Sequence, residues 1–177
     1  MGETADTATA NRTVGLSQGF ERAKGMDLDR VAAEIHRAID EHISIAVSPK
    51  AFDPKAVQER LRRLLGAAAN GGPYAFSVGS RNDRHLVIAY AVQKGTLMGP
   101  GATSVTVRVY APREGRFAFV GATGDDMDGY GSLNVAELHS PVSNDLWLLI
   151  WGQMTGANGP NIRMRIYAYD RAKFRPK

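Results

Sequence analysis

The 177-residue chain contains no cysteine. That absence excludes disulfides, thiolate metal sites and cysteine nucleophiles together, and it leaves the compartment open, since such a chain tolerates either redox environment. Long apolar runs are lacking too. The longest, Leu146 to Trp151, falls far short of the roughly 18 residues of a spanning helix, which excludes membrane insertion by that route. Histidines number four. His36 and His42 lie too far apart on one predicted helix turn pattern to form the i, i+4 zinc pair. No serine stands in a Gly-x-Ser-x-Gly elbow, and Gly99 to Thr103 lacks the lysine and following helix of a phosphate loop. Hydrolase and nucleotidase readings therefore have no positive support. The opening residues also lack the basic start and apolar core of a secretory signal, although a mature exported form would look the same.

An excess of one charge is nearly absent as well. The net charge is +4, with ten basic and ten acidic residues up to position 72 and twelve and eight after it. So small a surplus disfavours a nucleic-acid partner, because phosphate-binding chains cluster basic residues on one face. What is present is ordinary globular composition, 44% hydrophobic and 23% charged.

Three regions follow from the patterning. Residues 1–26 are rich in Thr, Ala and Gly without periodicity and predict a flexible leader. Residues 27–72 predict a helical hairpin. Leu28, Val31, Ile35, Ile39 and Ile43 recur every three or four positions after a capping Asp27. Asp53 and Pro54 then open a second stripe of Val57, Leu61, Leu64, Leu65 and Ala68, which Asn70 to Pro73 closes. Arg60, Arg62 and Arg63 read as its solvated side. Each stripe is one-sided, so both helices are expected to lie against something apolar.

From Pro73 the period changes from helical to two, and residues 73–177 predict an antiparallel β domain. Seven runs rich in Val, Ile, Tyr, Phe and Trp are separated by turn clusters: Tyr74 to Gly79, His85 to Val92, Ser104 to Tyr110, Arg116 to Gly121, Ser132 to Leu138, Leu146 to Gly152 and Ile162 to Tyr169. Pro112 to Gly115 is a tight turn, so neighbouring strands pair most simply as a meander. Leu146 to Trp151 is apolar on both faces and is expected to be covered on both sides. Ile162 to Tyr169 alternates, with Met164, Ile166 and Ala168 facing one way. Lys173 to Lys177 reads as the start of a further strand. The fold class is thus mainly β, of α+β type: a helical hairpin and then a meander of about seven strands, with a β-sandwich or open barrel as the alternative.

Two constellations could carry chemistry. In the stretch from Asp126 to Glu137, Asp126, Asp128, Ser132, Asn134 and Glu137 fall at the first, third, seventh, ninth and twelfth positions. Gly131 stands at the sixth, where the backbone must turn sharply. Oxygen donors so spaced suit a hard cation such as calcium. The stretch resembles an EF-hand loop and, equally, the Asp-rich loop of FG-GAP or VCBS-type β-propeller blades. Tyr130 at the fifth position departs from both. The strand expected at Phe117 to Val120 leaves no entering helix, which favours the blade resemblance. That resemblance implies blade-like hairpins and a calcium site. A polar turn whose Asp side chains bond their own backbone is the plainer reading of the same residues.

The second constellation is an arginine-tyrosine face, Arg163, Arg165, Tyr167 and Tyr169, continued by Arg108 and Tyr110. It could stack rings and neutralise anions, or be a sheet face stiffened by cross-strand pairs, or be buried against the helices with the arginine heads reaching out. The expected function is a non-catalytic binding or assembly module presenting a β-sheet surface to a protein partner or to itself. The alternative is an enzyme or small-molecule binder whose pocket uses sheet residues with His85 or His139.

Overall fold

The computed structural model describes residues 28–65, 69–79, 84–93, 103–123, 133–139, 142, 146–156, 159–169 and 174–176. The expected leader, Asp126, Asp128 and Ser132 lie outside them. Helix α1 spans Leu28–Ala46 and α2 spans Pro54–Leu65. Ile35, Ile39 and Ile43 on α1 and Val57, Leu61, Leu64 and Leu65 on α2 are buried, as their spacing requires. Asp53 caps α2: its Oδ1 accepts the Lys55 amide at 3.0 Å, and its carbonyl accepts the Val57 amide at 3.0 Å. Pro54 fills the first helical position, where no amide proton is needed.

Eight strands follow. They are β1 Ala69–Val78, β2 His85–Gln93, β3 Thr103–Arg113, β4 Arg116–Ala122, β5 Asn134–His139, β6 Leu146–Gly156, β7 Gly159–Tyr169 and β8 Phe174–Pro176. Each of the seven runs seen in the sequence overlaps a strand, with Gly79 just past β1, Leu133 just before β5 and Ser132 outside the described residues. The eighth is the short C-terminal segment, which pairs with Tyr167 to Tyr169. Asn70 to Gly72, expected to end the second helix, already belong to β1. The register of β1 slips on either side of Gly71, which is how a strand absorbs such glycines. Gly72 has φ of +83°, and a Cβ there would stand 2.9 Å from the Ala89 carbonyl oxygen, so both conformation and space require glycine. Between β3 and β4, Glu114 and Gly115 take φ of 49° and 79°. Two left-handed residues make the type I′ turn that matches the strand twist.

The strands form two open sheets, β1-β2-β3-β4 and β5-β6-β7-β8, each antiparallel and in chain order. The helices lie over one face of the first sheet, α1 across β2 and β4 and α2 along β1. Leu86, Ile88, Tyr90, Tyr110 and Phe117 meet the helix stripes there. The other face of the first sheet carries Val87, Ala89, Val105, Val107 and Val109, which pack against Leu148, Ile150, Tyr167 and Tyr169 of the second. The order of layers is therefore helices, first sheet, second sheet. The Tyr74 hydroxyl ties the sheets by donating to the Leu133 carbonyl at 2.7 Å.

This order corrects one expectation. The strands covered on both faces are β2 and β3, whose residues from His85 to Ala91 and from Val105 to Tyr110 are all buried. In β6 Leu148, Ile150 and Gly152 are buried, whereas Trp147, Leu149 and Trp151 on the other side are half-buried. A doubly apolar run marks what a strand could bury, and the two helices are already used on the first sheet.

Candidate docking face

Antiparallel partners share a face, so the register fixes the outward side of the second sheet. On β6 the outward residues are Trp147, Leu149 and Trp151. They stand opposite Ala168, Ile166 and Met164 of β7 and opposite Leu138, Ala136 and Asn134 of β5. Ile162 and Met164 are 70% and 62% exposed. Both tryptophans of the chain therefore lie on this one face. Among the described outward positions the single charge is Arg175, on the short edge strand beside Ala168. Trp147, Leu149, Trp151 and Ile166 are half-buried and Ala168 is buried, and an apolar face with aromatic and methionine side chains and almost no charge has the composition of an interface centre.

The arginine-tyrosine set is divided by the fold. Tyr167 and Tyr169 point into the space between the sheets and are buried. Tyr169 meets the His85 ring, with centroids 6.2 Å apart, so His85 belongs to the packing between the sheets. Arg163 and Arg165, on the same side of β7, are exposed. Arg108 and Tyr110 stand on the first sheet and face the helices. There the Arg108 guanidinium donates to Asp40 of α1 through both Nε at 2.9 Å and an Nη at 2.5 Å. The Tyr110 hydroxyl donates to the same carboxylate at 2.7 Å. The guanidinium also lies 4.1 Å from the centre of the Phe119 ring. One turn earlier on α1, His36 Nδ1 and the Tyr90 hydroxyl share a hydrogen bond of 2.6 Å.

Burial tends to lower the Arg108 pKa, but the Asp40 hydrogen bonds and the tyrosines and carboxylate around it more than offset this, raising it above the ordinary value. Burial, with Tyr90 and Asp40 nearby, pushes the Tyr110 pKa well up against the opposing effect of Arg108. The cluster thus holds a permanent cation, a carboxylate and a neutral phenol that satisfy one another. It pins α1 to β3. Asp40 and His36 border the apolar stripe at i and i+4, and that polar pair beside Ile35, Ile39 and Ile43 was the one sequence trace of the cluster.

Of the expected calcium donors, Asn134 and Glu137 fall on β5. They pair with Trp151 and Leu148, so they stand on opposite faces of the strand. A cavity of about 280 Å³ lies where the helices meet, lined by Val47, Phe52, Val57, Arg60 and Arg63 among others. Arg60 spends a donor there on the Ala46 carbonyl at 3.4 Å, and Asp53 and Glu59 put acidic groups beside the arginines. No protein-family model, curated protein or solved structure matches the chain.

Proposed function

We propose that the protein is a non-catalytic binding or assembly module whose docking surface is the outward face of the second sheet. The carrying observation is the contiguous, nearly charge-free surface around Trp147, Trp151 and Met164, with Ile162 and Met164 more than three-fifths exposed. Isolated exposed apolar residues are ordinary, whereas a patch built from three neighbouring strands is a recognition feature. Its rigidity comes from the first sheet behind it. The two four-stranded meanders support a blade-like reading of each sheet, since propeller blades are sheets of that kind. The calcium part of the reading rests on residues 126–137 of the sequence. It expects the melting temperature to rise with added calcium, and an unchanged melting curve in chelator and in calcium removes it.

The docking role is tested by a photo-crosslinking amino acid placed at position 164, with the exposed turn position 114 as control, in cells expressing the chain. Adducts are expected from position 164 in clear excess over 114. Equal yields, or none at 164, overturn the reading.

A further inference from the structure

We infer that the cavity where the two helices meet binds a small monocarboxylate with an apolar body, its charge held by Arg60 and Arg63. The site belongs to the helix layer and is independent of the docking face, which lies across both sheets from it. Three observations carry it.

The first is a fixed apolar wall. The cavity, of about 280 Å³, lies between the loop after α1 and the first turns of α2, with Val47, Phe52 and Val57 along it. Val47 and Val57 are anchored in the core. The Phe52 ring is held as well: it stands edge-on to Phe117 with centroids 5.0 Å apart, and the Arg84 guanidinium lies 4.7 Å from its centre. Walls that are set beforehand reduce the ordering cost of binding. At roughly 30 Å³ for each water-sized group, the volume takes about nine of them. That is the size of a short acid and too small to bury a nucleotide.

The second is charge. Arg60 and Arg63 stand three residues apart on α2, so they share the side that lines the cavity. Arg60 gives one Nη to the Ala46 carbonyl at 3.4 Å, a long bond that leaves it other N–H donors. Arg63 is exposed and pairs with no carboxylate among the described residues. The acidic groups on the rim are already engaged. Glu59 Oε1 accepts from Arg62 at 2.6 Å, and Asp53 Oδ1 accepts the Lys55 amide at 3.0 Å. With Arg62 counted beside its Glu59 partner, the rim has a surplus of one positive charge, which one carboxylate balances.

The third is that the wall and the arginines meet in one cavity. Inorganic phosphate would satisfy the guanidinium groups and leave Phe52 and Val57 facing water. A neutral hydrocarbon would cover the wall and leave the charge surplus unbalanced. An apolar chain or ring ending in a carboxylate answers both, because the planar guanidinium fork accommodates two carboxylate oxygens at once.

The test is titration of the isotope-labelled full chain with sodium hexanoate, hexylammonium chloride and sodium phosphate, each to about 20 mM at neutral pH and constant ionic strength, followed by amide chemical shifts. Hexanoate is expected to shift amides between Ala46 and Val57 saturably, with a dissociation constant on the order of 0.1–1 mM. Hexylammonium and phosphate are each expected to bind about tenfold more weakly or not at all. Arg60→Gln and Arg63→Gln are each expected to weaken hexanoate about fivefold or more with the circular dichroism unchanged. Arg116→Gln at the β3–β4 turn is expected to leave it as it is. Because Arg60 also bonds the Ala46 carbonyl, the exposed Arg63 decides if the Arg60 variant disturbs the loop. Hexanoate that shifts none of these amides, or an affinity unchanged in Arg63→Gln, overturns the inference. Hexylammonium or phosphate binding as tightly as hexanoate overturns it too, since either the arginines or the apolar wall would then contribute nothing.

Discussion

Asp40 joins helix α1 to strand β3. It accepts two hydrogen bonds from Arg108 and one from Tyr110, and its side chain is 27% exposed against 11% for the arginine. Asp40→Asn removes the charge while keeping the shape, which leaves a guanidinium largely out of water without its counter-ion. The expected loss is about 2–3 kcal/mol, below the cost for a fully buried pair because Asp40 keeps contact with solvent. Urea unfolding of the variant and the parent checks it, and a loss under about 0.5 kcal/mol would show that the pair only decorates the interface. The alkaline limb carries a second signature. Burial raises the folded-state pKa of Tyr110 above its ordinary 10, so folding favours the protonated phenol. Its contribution is complete below about pH 10 and is lost as pH climbs through the ordinary value toward the raised one. Stability is therefore expected to fall more steeply above pH 10 in the parent than in Tyr110→Phe, as read from urea midpoints between pH 8 and 11. Parallel curves would remove Tyr110 as the source.

At the scale of elements, the bend that carries the chain from α2 into β1 depends on Gly72. Its left-handed backbone and its 2.9 Å approach to the Ala89 carbonyl oxygen are separate demands. Gly115 has a left-handed backbone as well but open space around it. Gly115→Ala is thus expected to lose about 1–2 kcal/mol from conformation alone, and Gly72→Ala more, since the backbone of β2 must also move. Equal losses in denaturant titrations would show that the close approach relaxes freely. The elements were the legible part of the sequence, and the reasons are local. Three-and-four spacing through Ile35, Ile39 and Ile43, the Asp53-Pro54 cap and the alternation from Ile162 to Tyr169 each follow from a period that the backbone itself imposes. Which sheet each strand joined was not legible. Arg108 and Tyr110 on β3 repeat the pattern of Arg165 and Tyr167 on β7, yet one pair meets α1 while Tyr167 enters the space between the sheets. Alternation names two faces without saying what covers either. Trp147, Leu149 and Trp151 show the same gap, since an apolar residue on a strand reads alike whether its neighbour layer exists or not.

The whole molecule is ordered by what covers what. Two one-sided helices supply a cover for one sheet face, two sheets have four faces, and the sheets cover one another once. Among the described residues one face has no such layer over it, and it is the one with Trp147 and Trp151. That arithmetic was available from the sequence, but only after the strands had been divided into two groups of four, which depends on contacts between distant segments such as Tyr74 with Leu133. The candidate docking face thus emerges at this scale alone. No single motif carries it.

The sealing of the first sheet on both sides has a kinetic consequence. Amide protons of β2 and β3 have no route to solvent that does not first part the helices or the second sheet, so their deuterium uptake is expected to be slowest and to follow complete unfolding. Amides of β6 and β7 need only a partial opening and are expected to exchange sooner in dilute solution. The reverse ranking would mean that the outer layer is the hardier one. Under the expected ranking the molecule comes apart from one side, with the second sheet breathing while the first and its helices hold, so the candidate docking face is also the part that gives way earliest.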